Sequence, residues 1–264
     1  MSRPSMPGRP GRPGRPADAA VWFRRYQRPG GPPARLRLVC FPHAGGTAQL
    51  YHGWAALLPA GVELLAVRYP GRQERLAEPC FEDMDALVDA VTGALGDFLD
   101  QPLALFGHSM GASVAYESTL RLQERYGVRP IRLMVSGRSA PHRPKPSRLH
   151  EQDDETLIAG VRRLGDLGSE AYDIPELREL LLPALRADFR LIEAYRPARP
   201  APVSCPVTAY VGDGDPGCVR DDVLAWSDLT PPGAFDFRTY PGDHFYLARQ
   251  EAALVADVIK DLEA

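Results

Sequence analysis

Cysteine is scarce in this chain of 264 residues, which contains only four: Cys40, Cys80, Cys205 and Cys218. No two of them have the close spacing of a zinc site, and a disulfide framework needs a denser set in a shorter chain. The first and the third lie in apolar runs that are typical of buried strands. The sequence therefore argues against a zinc or disulfide scaffold, and it favours a reducing compartment, the cytoplasm.

The chain also lacks an excess of either charge. Lys and Arg together number 31 against 34 Asp and Glu, which gives a formal net charge of -3. This balance provides no basic field that would attract nucleic acid or an anionic membrane surface. No apolar run approaches the roughly 18 residues that are needed to cross a bilayer. We therefore expect a soluble protein with no nucleic-acid partner and no membrane partner.

The first twenty residues lack the apolar segment of a secretory signal and are rich in Pro, Gly and Arg. This composition supplies neither hydrophobic periodicity nor side chains for a core. We expect residues 1–20 to be a disordered leader, because their Gly-Arg-Pro repeat is far too short for a collagen triple helix. The chain as a whole is 44% hydrophobic, so residues 21–264 are sufficient for one α/β domain.

Short apolar runs alternate with helical patterns along most of that domain. The runs that are typical of strands span residues 35–41, 62–69, 102–107, 131–137, 206–212 and 235–242. The segments between them mostly have the three-and-four spacing of amphipathic helices. Strands that alternate with helices imply a mostly parallel central sheet that is flanked by helices on both faces. The expected fold class is α/β.

One segment interrupts the alternation. Residues 147–195, approximately, contain two helical patterns with no convincing strand between them. An insertion between two strands of a parallel sheet lies over the carboxyl ends of the strands, where ligands bind. We predict a helical lid, and the alternative is an extra pair of helices packed on one face of the sheet. Its apolar residues either line a pocket or pack as ordinary helix residues: Leu181, Leu182, Leu185 and Phe189.

A serine between glycines follows one of the predicted strands. In "LALFGHSMGASVAYE", residues 103–117, a G-x-S-x-G pattern separates a strand from a helix, which is the context of a nucleophile elbow. The glycines allow a sharp, strained turn that exposes the hydroxyl. The helix N-terminus favours a developing anion. The pattern therefore predicts that Ser109 is a nucleophile rather than only a helix cap.

A serine nucleophile needs a base and an orienting carboxylate. With this elbow the chain order is serine, acid, histidine, and of six histidines only His244 follows every candidate acid. The acid lies in "VGDGDPGCVRDD", where Asp213 and Asp215 are both candidates. Asp215 is favoured because the following Pro216 holds it extended, whereas Asp213 between two glycines suits a turn.

Acyl transfer also requires N–H donors that point at the tetrahedral oxyanion. One expected donor is the backbone N–H of Met110, the residue after the nucleophile. The other comes from a loop after an early strand, here "FPHAGG". We predict Ala44 as this second donor, since Gly45 and Gly46 let the backbone approach a ligand closely.

Eight segments together carry a resemblance to a known family: "WFRRY", "LVCFPHAGGTA", "LLAVRYPGRQERL", "LALFGHSMGASVAYE", "VSGRSAP", "LRADFRLIEAYR", "VTAYVGDGDPGCV" and "PGDHFYL". From about residue 22 to the C-terminus, the chain resembles the type II thioesterases that accompany modular polyketide synthases and nonribosomal peptide synthetases. The resemblance implies an α/β-hydrolase fold with a helical lid insertion. It also implies removal of stalled or aberrant acyl groups from the 4′-phosphopantetheine arm of acyl or peptidyl carrier proteins.

The resemblance assigns the nucleophile, acid and base to Ser109, Asp215 and His244, and so it selects Asp215 over Asp213. It assigns the oxyanion donors to the backbone of Ala44 and Met110. It implies no metal and no organic cofactor. We expect a monomer whose partner is an acylated carrier protein. The family pattern does not account for the Pro-, Arg- and Gly-rich leader.

Other functions remain open at this point. A closely related enzyme releases a finished medium-chain product from a carrier protein, and a generic serine esterase has the same catalytic residues. A different class is a non-catalytic α/β-hydrolase scaffold that acts as a binding module. The presence of Ser109, Asp215 and His244 together argues against the scaffold, which has no need of all three.

Overall fold

The computed structural model of the chain describes residues 19–27, 30–165, 167–197 and 199–263. Seven strands form one sheet: β1 (Phe23–Tyr26), β2 (Leu36–Phe41), β3 (Val62–Val67), β4 (Leu103–His108), β5 (Arg132–Ser136), β6 (Val207–Gly212) and β7 (Phe235–Tyr240). Their order is β1-β3-β2-β4-β5-β6-β7. Only β1 is antiparallel to its neighbour. The predicted α/β fold with a mostly parallel sheet is confirmed, whereas β1 was not predicted.

The described residues form nine α-helices: α1 (Ala19–Trp22), α2 (Trp54–Leu57), α3 (Met84–Leu95), α4 (Met110–Tyr126), α5 (Asp154–Leu164), α6 (Pro175–Ala194), α7 (Arg220–Leu224), α8 (Tyr246–Arg249) and α9 (Glu251–Glu263). Short 3-10 helices span Ala48–Tyr51, Gln73–Arg75, Gly96–Phe98, Leu149–Glu151, Ser169–Asp173 and Ala225–Leu229. None of the described helices is both long and apolar enough to cross a membrane.

Apolar side chains fill both faces of the sheet, because successive residues of a strand point to opposite faces. In β2, Val39 and Phe41 belong to the core beneath α3 and α4. Leu38 and Cys40 belong to the core beneath α2 and α9. All four side chains are fully buried. Strands covered on both faces explain why the sequence shows continuous apolar runs rather than polar-apolar alternation.

Between β5 and β6 the chain makes the helical insertion that was predicted at about residues 147–195. It contains α5 and α6, whose apolar faces pack together through Leu157, Ile158, Leu182 and Leu185. Leu182 and Leu185 are therefore packing residues, as one of the two interpretations expected. The predicted leader, residues 1–20, lies outside the described residues except for its last two.

Candidate active site

Ser109 occupies a strained turn between β4 and α4. Its backbone has φ +55° and ψ -118°, a region that non-glycine residues rarely adopt. The Ser109 N–H donates to the carbonyl of Ser136 at the end of β5, with an N···O distance of 2.8 Å. Strain of this kind is typical of functional positions that the surrounding structure holds in place. The conformation is that of a nucleophile elbow.

The glycines of the elbow are required by backbone contacts. A Cβ atom on Gly107 would lie 2.1 Å from the carbonyl oxygen of Gly111. A Cβ atom on Gly111 would lie 2.1 Å from the carbonyl oxygen of Phe41, the last residue of β2. Both contacts are with backbone, which cannot rotate away as a side chain can. The G-x-S-x-G spacing therefore lets α4 pack directly against β2 and β4.

We expect Gly111→Ala to lower the free energy of unfolding by about 3 kcal/mol or more, because the added methyl group forces α4 away from β2. Urea denaturation measures the effect. Gly93→Ala in α3 is the matched control, since nothing lies within 4 Å of its added Cβ, and it should stabilise the protein by about 0.5–1 kcal/mol. Equal urea midpoints for Gly111→Ala and wild type would contradict the argument.

His244 and Asp215 are paired in the loops that follow β7 and β6. The imidazole Nδ1 of His244 lies 2.7 Å from Oδ2 of Asp215, and both residues are buried. The other oxygen of Asp215 accepts a hydrogen bond from the N–H of Gly217 at 2.7 Å. Asp213 instead accepts from the N–H of Gly242 at 2.9 Å and shapes the turn. Asp215 is thus the carboxylate that can orient the imidazole.

Ser109 and His244 line the same cavity. The Nε2 atom of His244, the ring nitrogen that faces away from Asp215, is buried and has no hydrogen-bond partner among the described residues. No hydrogen bond joins it to the Ser109 hydroxyl in this structure. Catalytic hydrogen bonds of this kind often form only when substrate is bound. The arrangement leaves Nε2 available as a proton acceptor.

Two further histidines, His108 and His43, lie close to His244 in the site. The rings of His108 and His244 have centroids 4.9 Å apart, and those of His43 and His108 are 5.9 Å apart. Burial, with His244 beside it, lowers the pKa of His43 to about 3, and it lowers the pKa of His108 well below the usual range. His108 Nδ1 also lies 2.9 Å from the Ser136 hydroxyl. Both rings are therefore neutral near pH 7, and neither is paired with a carboxylate in the described part of the chain.

Two backbone N–H groups are available as anion donors. Met110 is the first residue of α4, so its N–H has no acceptor within the helix. The Ala44 N–H donates to no acceptor among the described residues. Ala44 and Met110 both line the cavity with Ser109. The structure thus brings together all five residues that the sequence singled out.

The cavity has a volume of about 270 Å³ and lies between the sheet edge and the insertion. Phe189 and Ile192 of α6 contribute apolar lining. Of the four apolar residues that were considered as pocket lining from the sequence, Phe189 lines this cavity and the three leucines do not. Cationic side chains also contribute to the lining: Arg138, Arg143, Lys145 and Arg196. None of these four forms an ion pair within the described part of the chain.

Potential metal ligands in the described residues converge at Asp215, Cys218 and His244, whose ligand atoms lie within 4.8 Å of one another. Burial, with Asp215 beside it, raises the pKa of the Cys218 thiol. The thiol is therefore protonated near pH 7 in the metal-free protein. Asp215 and His244 are already bonded to each other. This chemistry fits an oriented histidine better than a metal centre.

Sequence reasoning missed a buried ion pair beside the cavity. Arg72, in the loop after β3, and Asp188, on α6, form two hydrogen bonds with N···O distances of 2.6 and 2.9 Å. Their side chains are only 5% and 6% exposed. One signal was present in the sequence: Asp188 falls on the apolar face of its helix, with Leu185, Leu191 and Ile192 three or four residues away. That position implies burial, but it does not reveal the partner.

Comparison with known proteins agrees with this geometry. Residues 36–263 match the family model described as "Thioesterase domain". The chain is 41% identical over 242 residues to "Thioesterase PikA5" of Streptomyces venezuelae, covering 91% of this chain and 85% of that protein. Among solved structures, the type II thioesterase BorB from the borrelidin biosynthetic cluster superposes with a TM-score of 0.82 at 38% identity, covering 92% of this chain and 98% of BorB.

A second solved structure is RedJ, a thioesterase from the prodiginine biosynthetic pathway in Streptomyces coelicolor. It superposes with a TM-score of 0.80 at 36% identity, covering 97% of this chain and 91% of RedJ. These matches extend over nearly the whole described domain, including the insertion between β5 and β6. The α/β-hydrolase fold, the family model and the relatives agree. The chain belongs to the thioesterase family and, within it, to the type II thioesterases.

Proposed function

We propose that this protein is an editing thioesterase of polyketide or nonribosomal peptide biosynthesis. It hydrolyses stalled or aberrant acyl groups from the phosphopantetheine arm of acyl or peptidyl carrier proteins, and it acts as a monomer in the cytoplasm. The observation that carries the proposal is one cavity lined by Ser109, His244, Ala44 and Met110, where the backbone N–H groups of Ala44 and Met110 have no acceptor in the part of the chain that the structure describes. This is the full set of groups that serine-dependent acyl transfer requires.

In the first half-reaction, His244 accepts the proton of the Ser109 hydroxyl through Nε2, and the oxygen attacks the thioester carbonyl carbon. Negative charge then develops on the carbonyl oxygen, where the Ala44 and Met110 N–H groups stabilise it. When the carbon–sulfur bond breaks, His244 returns the proton to the departing phosphopantetheine thiolate. Asp215 holds the imidazole in the correct tautomer and stabilises the imidazolium. The product is an ester between the acyl group and Ser109.

In the second half-reaction, water takes the place of the thiol. His244 removes a proton from the water as it attacks the ester carbonyl, and the same two N–H groups stabilise the second oxyanion. The ester bond breaks, and the proton on His244 passes to the Ser109 oxygen. The acyl group leaves as a free acid and the enzyme is restored. No group outside the protein and its substrates is needed for this cycle.

The cationic lining of the cavity favours a carrier-bound substrate. Arg143, Lys145 and Arg196 are exposed, and Arg138 is partly buried. Burial lowers the pKa of Arg138, and the neighbouring Arg196 cation acts in the same direction. The phosphate of a phosphopantetheine arm supplies the missing negative charge. The volume of about 270 Å³ is below the range typical of drug-sized ligands and favours short acyl groups.

We expect the double variant Arg143→Ala/Lys145→Ala to raise KM for an acyl carrier protein by about tenfold, because electrostatic steering of an anionic partner is weakened. The value of kcat should not change, nor should hydrolysis of p-nitrophenyl acetate. Steady-state kinetics at low and high salt measure this. Arg35→Ala/Arg129→Ala, which removes two exposed cations that precede β2 and β5, is the matched control. A KM equal to that of wild type would contradict a cationic docking role.

Intact-mass spectrometry of carrier proteins loaded with acetyl through octanoyl groups tests the function directly. Editing predicts loss of the acyl mass with wild-type enzyme, fastest for the short groups. A preference for octanoyl would instead indicate release of a medium-chain product. Cleavage of simple esters without cleavage of loaded carriers would indicate a generic esterase. Inertness toward both would indicate the non-catalytic scaffold.

A further inference from the structure

The buried pair of Arg72 and Asp188 joins two sequence segments that the catalytic groups do not account for, "YPGRQER" and "LRADF". Arg72 presents both terminal nitrogens to the two carboxylate oxygens of Asp188. Burying such a pair is costly, and replacing it by apolar residues is often neutral or stabilising. Fold stability alone therefore gives little reason to keep a charged pair here, and the other contacts of the two side chains point to a further role.

Both side chains bind the loop that carries Ala44. The backbone N–H of Gly45 donates to Oδ2 of Asp188 at 2.7 Å. Arg72 donates from its NH1 nitrogen to the carbonyl of Gly46 at 3.3 Å. The turn itself is closed by a hydrogen bond from the Gly46 N–H to the carbonyl of His43 at 2.9 Å. The ion pair thus fixes the peptide group between Ala44 and Gly45 and the one between Gly46 and Thr47.

The remaining contacts of the loop are consistent with a fixed position. Gly45 has φ +74°, and a Cβ atom there would lie 2.8 Å from Cδ1 of Leu185 on α6. The loop therefore packs closely against the insertion at the point where Asp188 reaches it. The Gly45 N–H is committed to Asp188, whereas the neighbouring Ala44 N–H has no acceptor among the described residues.

We propose that Asp188, held by Arg72, is a positioning residue that aims the Ala44 N–H at the oxyanion. Arg72 has a second role, because it neutralises a carboxylate that would otherwise repel the negative charge developing nearby. The inference rests on the proposed function to the extent that Ala44 is an oxyanion donor. It makes α6 of the insertion part of the catalytic scaffold as well as a wall of the cavity.

Two variants separate positioning from stability. Asp188→Asn keeps an oxygen that can accept from the Gly45 N–H, but it leaves the Arg72 cation buried without a counter-charge, which destabilises the fold. Arg72→Met/Asp188→Leu removes both charges and fills the space with apolar groups, so the fold is kept, but the acceptor for Gly45 is lost. Positioning therefore predicts opposite rank orders for the two variants in activity and in stability.

We expect the double variant to unfold near the wild-type midpoint temperature. For p-nitrophenyl acetate it should lose about 100-fold in kcat with little change in KM, since loss of an oxyanion donor has effects of this size. Asp188→Asn should unfold at a lower temperature yet retain more activity than the double variant. Arg190→Ala is the matched control. Arg190 lies on α6, as Asp188 does, and its substitution removes an exposed ion pair with Glu82, so kcat should be unchanged.

The affinity of an alkyl trifluoromethyl ketone, which forms a tetrahedral oxyanion on the serine, gives a second readout. Its inhibition constant should rise in step with the loss of kcat/KM in the double variant. The proposal would be overturned if the double variant had the same kcat as the wild type. It would also be overturned if the activities of the two variants fell in the same order as their stabilities. Because p-nitrophenyl acetate and the ketone probe the oxyanion site without a carrier protein, a failure of the carrier-protein function would be seen separately.

Discussion

Ser109→Ala is expected to lower kcat for thioester hydrolysis by roughly a million-fold, because no other atom can form the acyl-enzyme. The residual rate over water should come from substrate binding and the oxyanion donors. Intact-mass spectrometry provides an independent measurement. With a slowly hydrolysed acyl thioester, the wild-type enzyme should gain the mass of the acyl group, and the variant should gain none.

Ser118→Ala is the matched control for this experiment. Ser118 lies on the same helix, is fully buried, and its hydroxyl has no hydrogen-bond partner among the described residues. Removing an unsatisfied buried hydroxyl should leave the stability equal or higher, and kcat should stay at the wild-type value. If Ser109→Ala kept more than about one hundredth of the activity, the nucleophile would have to be sought elsewhere.

The fold was predictable where local pattern and tertiary environment agree. The strands β2 to β6 are bounded by turn residues and buried along their length, so apolar runs identify them, whereas the edge strand β7 is only partly buried. The strand β1 was missed because it has only four residues, two of them exposed arginines, and its pairing with β3 supplies what its sequence does not. The segment between β2 and β3 has the helical spacing that was expected of the connections, but its helical part divides into the 3-10 helix Ala48–Tyr51 and α2.

The candidate site was predictable to a different extent. Ser109, Asp215 and His244 follow three different strands, and the parallel sheet brings the carboxyl ends of those strands to one edge. Chain order and the elbow motif were therefore sufficient to select Ser109 and His244 and to narrow the acid to Asp213 or Asp215; the family resemblance favoured Asp215. The contact between Arg72 and Asp188 spans 116 positions in the sequence. Nothing local to either residue specifies the other, because their meeting depends on how α6 crosses the sheet edge.

The second large expected effect is that of Asp215→Asn on kcat, and Asp213 is the alternative acid against which it is tested. Asp215→Asn should lower kcat by about ten-thousand-fold, because an amide neither holds the productive tautomer of His244 nor stabilises the imidazolium. Asp213→Asn is the matched control from the same loop: it removes one charge but keeps an oxygen that can accept from the Gly242 N–H. Its kcat should equal that of wild type in the same steady-state assay.

The pair of variants also decides what kind of support the imidazole receives. Asp215 is buried and shares its carboxylate between His244 and the Gly217 N–H, so loss of its charge acts directly on the base. If Asp213→Asn lost activity and Asp215→Asn kept it, the orienting acid would be the one that now shapes the turn. The loop would then have to rearrange when substrate binds, since Asp213 is bonded to the Gly242 N–H rather than to His244 in this structure.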